Sequence, residues 1–289
     1  MRIAILGAHG FVGKRLFGQL RSLGHEVFGY VLNPISDCQG DCHCHSVFKL
    51  IDSPVERSAK YDVVVNLAAR RTTRFHKFTD EQVEEFTFKI PREFFLRASG
   101  PETLIINSST YIQNFRGVTG NSVDMYGASK QKLSQFLEGQ LHANSNRTLD
   151  LFFFTLYGVG DRPSHLVPLL LDAARSGERL SLSPGHQLIN LLYIEDAISN
   201  IVRAIQVNTG FGYEKYYMWE NEYFSIRELV GRIQLEIGRE ILCDWGKSGY
   251  FGHEMMEVWP VPMEQFPQFE ANTSLDEGIR KLWKVILED

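Results

Sequence analysis

The sequence predicts an α/β protein: a doubly wound parallel sheet with helices on both faces, and a smaller mixed α/β lobe laid over one end of it. Three observations lead there. Short β-branched runs alternate with amphipathic helical stretches through the first half of the chain, the pattern of a sheet buried on both sides. The first run, RIAIL at 2–6, leads at once into a glycine-rich turn, GAHGFVG. After residue 157 the strict alternation loosens, which marks a second, smaller unit.

The elements follow in order. RIAIL reads as a buried strand. In the helix behind it, KRLFGQLRSLG, the apolar residues Val12, Leu16, Leu20 and Leu23 recur at helical spacing, and Gly24 ends it. HEVFGYVL reads as the second strand, residues 33–46 as a loop, and VFKLI as the third strand. YDVVVNLAA is the fourth, β-branched and bounded by polar residues. Residues 80–99 read as a helix that Pro91 breaks or kinks. TLIINSS is the fifth strand, residues 126–142 a helix, and DLFFFTLYG the sixth strand. Beyond it, HLVPLLLDAARSG is helical, LINLLYI is a strand, and EDAISNIVRAIQ and FSIRELVGRIQLEIG are helices. An aromatic, Pro- and Gly-rich stretch spans Trp245 to Phe269, and SLDEGIRKLWKVIL closes the chain as an amphipathic helix.

Composition narrows the function classes. The chain has 289 residues, 44% of them hydrophobic and 22% charged, with a net charge of -5. That suits a sizeable core and not a disordered chain. Nucleic-acid binding needs a concentrated basic face, so no nucleic-acid partner is expected. No apolar run approaches the roughly 20 residues of a membrane span. MRIAILGAHG lacks the order of a signal peptide, so a cytoplasmic protein is expected. Four cysteines in this length do not make a disulfide scaffold.

Gly7, Gly10 and Gly13 form G-x-x-G-x-x-G between the first strand and the first helix. Gly7 permits the tight turn, Gly10 lets a pyrophosphate approach the backbone, and Gly13 lets helix and strand pack closely. The helix N-terminus then offers free N–H groups and a positive dipole end. His9, Phe11 and Val12 complete this candidate dinucleotide cradle. The second strand ends GYVLN, with Val31 and Leu32 where an acid would meet an unphosphorylated ribose. Nothing there repels a 2′-phosphate, so NADP(H) is preferred over NAD(H), with His9, Asn33 and Arg15 near enough to meet it. Asp52 either accepts a hydrogen bond from the adenine amino group or caps a helix before Pro54.

YGASK places Tyr126 and Lys130 at i and i+4, on one helix face. A phenol with its usual pKa of about 10 exchanges protons poorly near neutrality, and a nearby ammonium lowers it. Tyr126 can then pass a proton to or from a carbonyl oxygen while hydride moves at the neighbouring carbon. Ser109, at the end of the fifth strand, is the candidate hydroxyl that positions that oxygen. Such a Tyr/Lys pair alone is common on helix surfaces; with the glycine turn and SST at a strand end it points to a site.

Together GAHGFVG, NLAA at 66–69, SST at 108–110, YGASK at 126–130, LYGVGDRP at 156–163, LLYIEDA at 191–197 and SLDEGIRKLW at 274–283 resemble the extended short-chain dehydrogenase/reductase family over nearly the whole chain. The resemblance is to its nucleotide-sugar epimerases, dehydratases and 4-ketoreductases. It implies a Rossmann-type dinucleotide-binding domain from residues 1–157 plus 188–207, and a nucleotide-sugar-binding lobe from 158–187 plus 208–289. It implies a catalytic set of Ser109, Tyr126 and Lys130, nicotinamide contacts from Leu67, Ala68, Ala69, Tyr157 and Val159, and Gln187 at the nucleotide end. The family's dehydratases carry an acid pair after the catalytic Thr; here Thr110 and Tyr111 follow Ser109, which disfavours dehydration and makes both substrate contacts. Thr87 stands where an Asn is common. Ile189 stands where an Arg binds diphosphate, leaving that task to Arg162, Arg175 or Arg179. LSPGHQLINLLYIEDA looks most like the reductases that make 6-deoxy and 3,6-dideoxy sugars, the abequose-synthase group. Pairing of the 80–99 and 126–142 helices between subunits, and so a homodimer, is implied by the same resemblance.

Cys38, Cys42, His43, Cys44 and His45 crowd one loop, but C-x3-C-x-C matches no established zinc spacing, so no metal is expected. Cys243 reads as a core residue. Trp245, Tyr250, Phe251 and Trp259 either stack a base or pack the small lobe, and packing is expected. The reading is an enzyme reducing the keto group of a nucleoside-diphosphate 4-keto-6-deoxyhexose. A C4 epimerase with retained NAD is the first alternative. A non-catalytic NADP(H) sensor is the second, and it has no need of Ser109, Tyr126 and Lys130.

Overall fold

The computed structural model describes residues 1–32, 44–52, 61–72, 77–140, 147–207, 212–250, 252 and 254–288. Asn33, Cys38, Cys42, His43 and Phe251 lie outside the described residues. The chain opens with β1 (Arg2–Leu6), α1 (Gly13–Ser22) and β2 (Glu26–Val31) as the patterns predict. Leu16 and Leu20 are fully buried on α1, whereas Leu23, past its end, is exposed. The next segment differs from expectation. A short strand, β3 (Cys44–Ser46), comes first, and VFKLI forms a helix, α2 (Val47–Ile51), not a strand. Val47 and Leu50 are its buried residues: five apolar-rich residues fit either period, and burial at i and i+3 decides for the helix.

β4 (Tyr61–Asn66) leads to α3 (Asp80–Glu84), which opens on a capping box between Thr79 and Gln82. The helix then widens into a π turn over Glu85–Lys89 and continues as α4 (Ile90–Ala98). Pro91 has no N–H for the Thr87 carbonyl and its ring crowds that carbonyl. The π turn absorbs this, so the helix is distorted rather than ended. β5 (Ser99–Thr110), a 3-10 segment (Tyr111–Gly117), α5 (Met125–Gln140) and β6 (Arg147–Phe153) follow.

The expected sixth strand is two. β6 stops at Phe153, and β7 (Thr155–Tyr157) leaves the sheet to pair elsewhere. After α6 (Leu166–Ser176), closed by left-handed Gly177, come β8 (Leu180–Leu182), β9 (Leu188–Ile189) and β10 (Leu191–Tyr193). LINLLYI is thus split at Asn190, which is buried and donates to the carbonyls of Glu220 and Glu222. α7 (Ile194–Gln206) is followed by β11 (Gly212–Tyr217), a strand that sequence pattern did not predict. β12 (Phe224–Ser225), α8 (Ile226–Ile237), β13 (Cys243–Trp245), β14 (Glu264–Gln265) and α9 (Leu275–Glu288) complete the chain.

The main sheet has the order β14-β11-β6-β5-β4-β1-β2-β3, and every pairing is parallel. β11 and β14 join it from the stretch expected to lie in the smaller lobe. Alternate residues of each strand feed opposite cores. Ile3, Ile5, Val63 and Val65 pack with α1 and α7, while Ala4, Leu6, Val64 and Ile105 pack with Phe94, Leu133 and Leu137 of α4 and α5. A third core, with Leu170, Leu171, Leu229, Ile233, Ile279 and Leu282, unites α6, α8 and α9. β1 is bonded to β2 on one side and β4 on the other. The chain's direction across the sheet reverses there, opening a crevice beyond the strand ends where such sheets bind ligands. No described helix is long and apolar enough to cross a membrane.

Candidate active site

The glycine turn occupies this crevice. Gly7 adopts φ +87, and its amide bonds the Tyr30 carbonyl at 2.9 Å. A Cβ on Gly13 would lie 2.1 Å from the Gly7 carbonyl oxygen, so α1 packs on the turn closer than any side chain permits. Gly10 and His9 are exposed, and Phe11 and Val12 line the main cavity, about 560 Å³, above the strand ends. A bare turn feeding a helix N-terminus fits a dinucleotide pyrophosphate. Val31 and Leu32 end β2 as read, with no carboxylate there among the described residues. Arg15 is directed elsewhere: its guanidinium donates to the Val159 and Phe11 carbonyls and pairs with Glu195 at 3.4 Å. Asp52 is the C-terminal cap of α2, so it follows a helix and not a strand.

Tyr126 stands in the first turn of α5, which Asp124 caps: its Oδ1 accepts from the Gly127 amide at 2.7 Å. The Tyr126 phenol lines the cavity together with Thr110, whose side chain favours the phenolate. Desolvation pushes its pKa up, and the Arg71 guanidinium is the largest influence opposing the rise. Lys130, one turn on, is 2% exposed and donates to the Ser108 carbonyl at 2.5 Å. Burial lowers its pKa to about 8, against the pull of the Asp150 carboxylate.

Ser109 shares the wall of a smaller cavity with Tyr126 and Thr110, but its hydroxyl is spent on a buried carboxylate. Its hydroxyl donates to Asp150 Oδ1 at 2.6 Å and lies 3.3 Å from Ser134 Oγ, below the sheet end. The next residue, Thr110, lines both this smaller cavity and the main one. Ser109 belongs to a buried network that sequence reasoning missed. Asn107 Nδ2 donates to Asp150 Oδ1 at 2.9 Å, Tyr213 OH donates to Asp150 Oδ2 at 2.7 Å, and Asn66 Nδ2 donates to Asn107 Oδ1 at 2.8 Å. The signal was an acid in the middle of the apolar run LDLFFF.

Other expected contacts divide. Ala69, Tyr111 and Arg162 line the main cavity, and Leu67 lines the smaller one adjoining it. The Ala68 amide bonds Asn66 Oδ1 at 3.1 Å, holding the loop after β4. Tyr157 reaches the cavity wall, but its ring packs on Gly278 and its hydroxyl donates to the Leu275 carbonyl at 3.5 Å. Val159 uses its carbonyl on Arg15. Arg175 pairs with Asp172 at 2.8 Å and Arg179 with Asp244 at 3.0 Å. Gln187 bonds Ser183 and Glu254 within the lobe. Those three do not line the main cavity. Thr87, standing in for the family's Asn, uses its hydroxyl to accept from the Arg70 amide and to donate to the Arg70 carbonyl, both at 3.1 Å. Trp245 lies under Gly185 and the Arg227 guanidinium and packs the lobe, whereas Trp259 is buried against Phe115 and Tyr111 of the segment after β5. Cys243 packs against the lobe's core. Among the described residues no cluster of three or more His, Cys, Asp or Glu is placed to hold a metal.

With this geometry in place, the comparisons with known proteins decide the family. Residues 3–217 match the model of the NAD dependent epimerase/dehydratase family. The chain belongs to that family. It is an enzyme of the short-chain dehydrogenase/reductase type, and this family member is 31% identical over 236 residues to the CDP-abequose synthase of Yersinia pseudotuberculosis, covering 78% of each chain. Among solved structures, MoeE5 in complex with UDP-glucuronic acid and NAD superposes with a TM-score of 0.82 at 18% identity, covering 100% of this chain and 99% of that one. The UDP-glucuronic acid 4-epimerase of Bacillus cereus, in complex with UDP-glucuronic acid and NAD, gives 0.77 at 17% identity, with 100% and 99% covered.

Proposed function

We propose that this family member reduces the keto group of a nucleoside-diphosphate-linked 4-keto-6-deoxyhexose to an alcohol. The observation that carries the reading is the Tyr126 phenol, kept protonated by its surroundings and set with Thr110 in the wall of a large cavity over the glycine turn. A protonated phenol suits a general acid, which a ketone reduction requires. A bound reduced nicotinamide supplies the hydride. Thr110 orients the carbonyl oxygen, and Tyr126 passes it a proton as the carbonyl carbon is reduced. Lys130, on the same face of α5 as Tyr126, is the residue that would hold the cofactor ribose. Thr110 takes the hydroxyl role that spacing had given to Ser109.

Three further observations support this reading. The 31% identical relative is a CDP-abequose synthase. Thr110 is followed by Tyr111 and Ile112, so no carboxylic acid stands next to it in the chain to expel a hydroxyl. Arg162 is the one of the three candidate arginines that lines the cavity, and it is the proposed diphosphate contact. The β2 end without a carboxylate favours NADP(H), with NAD(H) accepted. The glycine-turn domain is proposed to hold the dinucleotide and the α6–α8–α9 lobe the nucleotide sugar. A cytoplasmic homodimer joined through α3–α4 and α5 completes the proposal. The test is deuteride transfer from a nicotinamide deuterated at C4. Deuterium at C4 of the product sugar, in one configuration, is expected; unlabelled product of inverted configuration would mean epimerisation instead.

A further inference from the structure

Arg71 is absent from the sequence reading, yet it is built into the site. It lies on the loop after β4, whose path is fixed by two contacts: Ala68 to Asn66, and Arg70 to the Thr87 hydroxyl. The Arg70 guanidinium covers the rings of Phe86 and Phe78 at 3.9 and 5.0 Å. Arg71 turns instead into the main cavity. Its guanidinium carbon sits 5.5 Å from the centre of the Tyr126 ring, and its Nη2 lies 3.3 Å from Asp124 Oδ2. The other oxygen of Asp124 caps α5, the helix that carries Tyr126. One carboxylate therefore ties the arginine to the N-terminus of that helix. The Arg71 and Asp124 side chains are 34% and 28% exposed, so the pair keeps contact with the cavity solvent.

We propose that Arg71, held by Asp124 over the Tyr126 ring, is a positioning residue that stabilises the negative charge left on Tyr126 when its proton passes to the substrate oxygen. The inference rests on the reading of Tyr126 as the acid. In that step the phenol O–H bond breaks and a new O–H bond forms on the former carbonyl oxygen. The carbonyl carbon takes the hydride of the reduced nicotinamide, and the phenolate regains its proton from water. Lys130 is engaged by the Ser108 carbonyl, whereas Arg71 lies over the Tyr126 ring on the cavity side. The other titratable groups around the phenol are Asp124 before α5, Tyr111 at the end of β5, and Asp161, Arg162 and His165 across the cavity. Tyr111 itself is pushed up to about 12 by burial, with Arg71 opposing.

The test titrates Tyr126 directly in the full-length protein, using tyrosine labelled with carbon-13 at Cζ and the Tyr126→Phe variant to assign its resonance. Arg71→Gln should raise the Tyr126 midpoint by about one pH unit or more, a ten-fold gain in proton affinity, or leave the phenol protonated to about pH 12. Asp124→Asn, which can still cap the helix, should lower it. A loss of local packing would not move the two variants in opposite directions. Arg71→Lys should recover part of the shift. A midpoint that stays within about 0.3 unit of wild type in Arg71→Gln overturns the inference. This readout needs no turnover, so a shifted midpoint upholds the Arg71 pairing even if keto-sugar assays reject the proposed reaction.

Discussion

Exchanging the roles of Ser109 and Thr110 gives a paired prediction. Ser109→Ala removes a 2.6 Å hydrogen bond to Asp150, a carboxylate with 0% exposure. The loss of a buried bond to a charged group costs about 1.5–3 kcal/mol. In a chain of this length each kcal/mol moves Tm by about 2–4 °C, so Ser109→Ala should melt about 3–12 °C lower. Its hydroxyl is already donated to Asp150, so kcat should change by less than about three-fold. Thr110→Val keeps the shape and removes the hydroxyl that shares the cavity wall with Tyr126 and favours its phenolate. A hydrogen bond to an oxygen that becomes charged in the transition state is worth about 1.5–3 kcal/mol, so kcat should fall by about 10- to 100-fold. Tm should fall by no more than about 3 °C. The assays are thermal melts of the protein and initial rates of reduced-nicotinamide oxidation with a 4-keto-6-deoxy nucleotide sugar. If Ser109→Ala abolishes turnover while Thr110→Val spares it, that exchange of roles is refuted.

Three further outcomes follow from the same geometry. Gly13→Ala places a methyl carbon 2.1 Å from the Gly7 carbonyl oxygen; the turn must move, and dinucleotide affinity measured by calorimetry should fall at least about ten-fold, whereas unchanged affinity would mean the turn is not the cradle. Tyr213→Phe takes a 2.7 Å donor from Asp150 and should cost about 1.5–3 kcal/mol in urea unfolding with no change in the KM of the nucleotide sugar. Lys130 has a pKa near 8 in the folded protein against an ordinary value near 10.5. The unfolded chain therefore binds more protons between those values, and the Lys130 contribution to stability rises with pH across that window and is constant below it. Chemical denaturation of wild type and Lys130→Met should show the wild type gaining relative stability between about pH 8 and 10.5, and parallel curves there would contradict a buried, depressed lysine.

Much of this molecule was legible in its sequence because long-period patterns are robust. The strands at 2–6 and 61–66 and the helices at 13–22, 194–206 and 226–237 follow from burial periodicity and capping residues alone. The errors have local causes. VFKLI is too short for its period to choose between helix and strand, and β11, GYEKYY, carries too many polar atoms to read as a sheet strand. One of its tyrosines is there to bond Asp150. In the site, Tyr126 and Lys130 stood out through helical spacing together with the glycine turn and SST, whereas the spending of the Ser109 hydroxyl on Asp150 needed the facing of a strand, which neighbouring hydroxyls do not reveal. Arg71 was silent for another reason. It sits on a loop whose path only the folded chain displays.

The central claim is that the protein uses a reduced nicotinamide to reduce a keto sugar through Tyr126. It is tested most directly by mixing the purified protein with NADPH or NADH and freshly generated CDP-, GDP- and dTDP-4-keto-6-deoxyhexoses, and following the absorbance of the reduced nicotinamide. The account predicts loss of that absorbance in proportion to the alcohol formed with one of these sugars, abolished in Tyr126→Phe. Steady absorbance with all three, while an unreduced nucleotide sugar changes configuration, would contradict it.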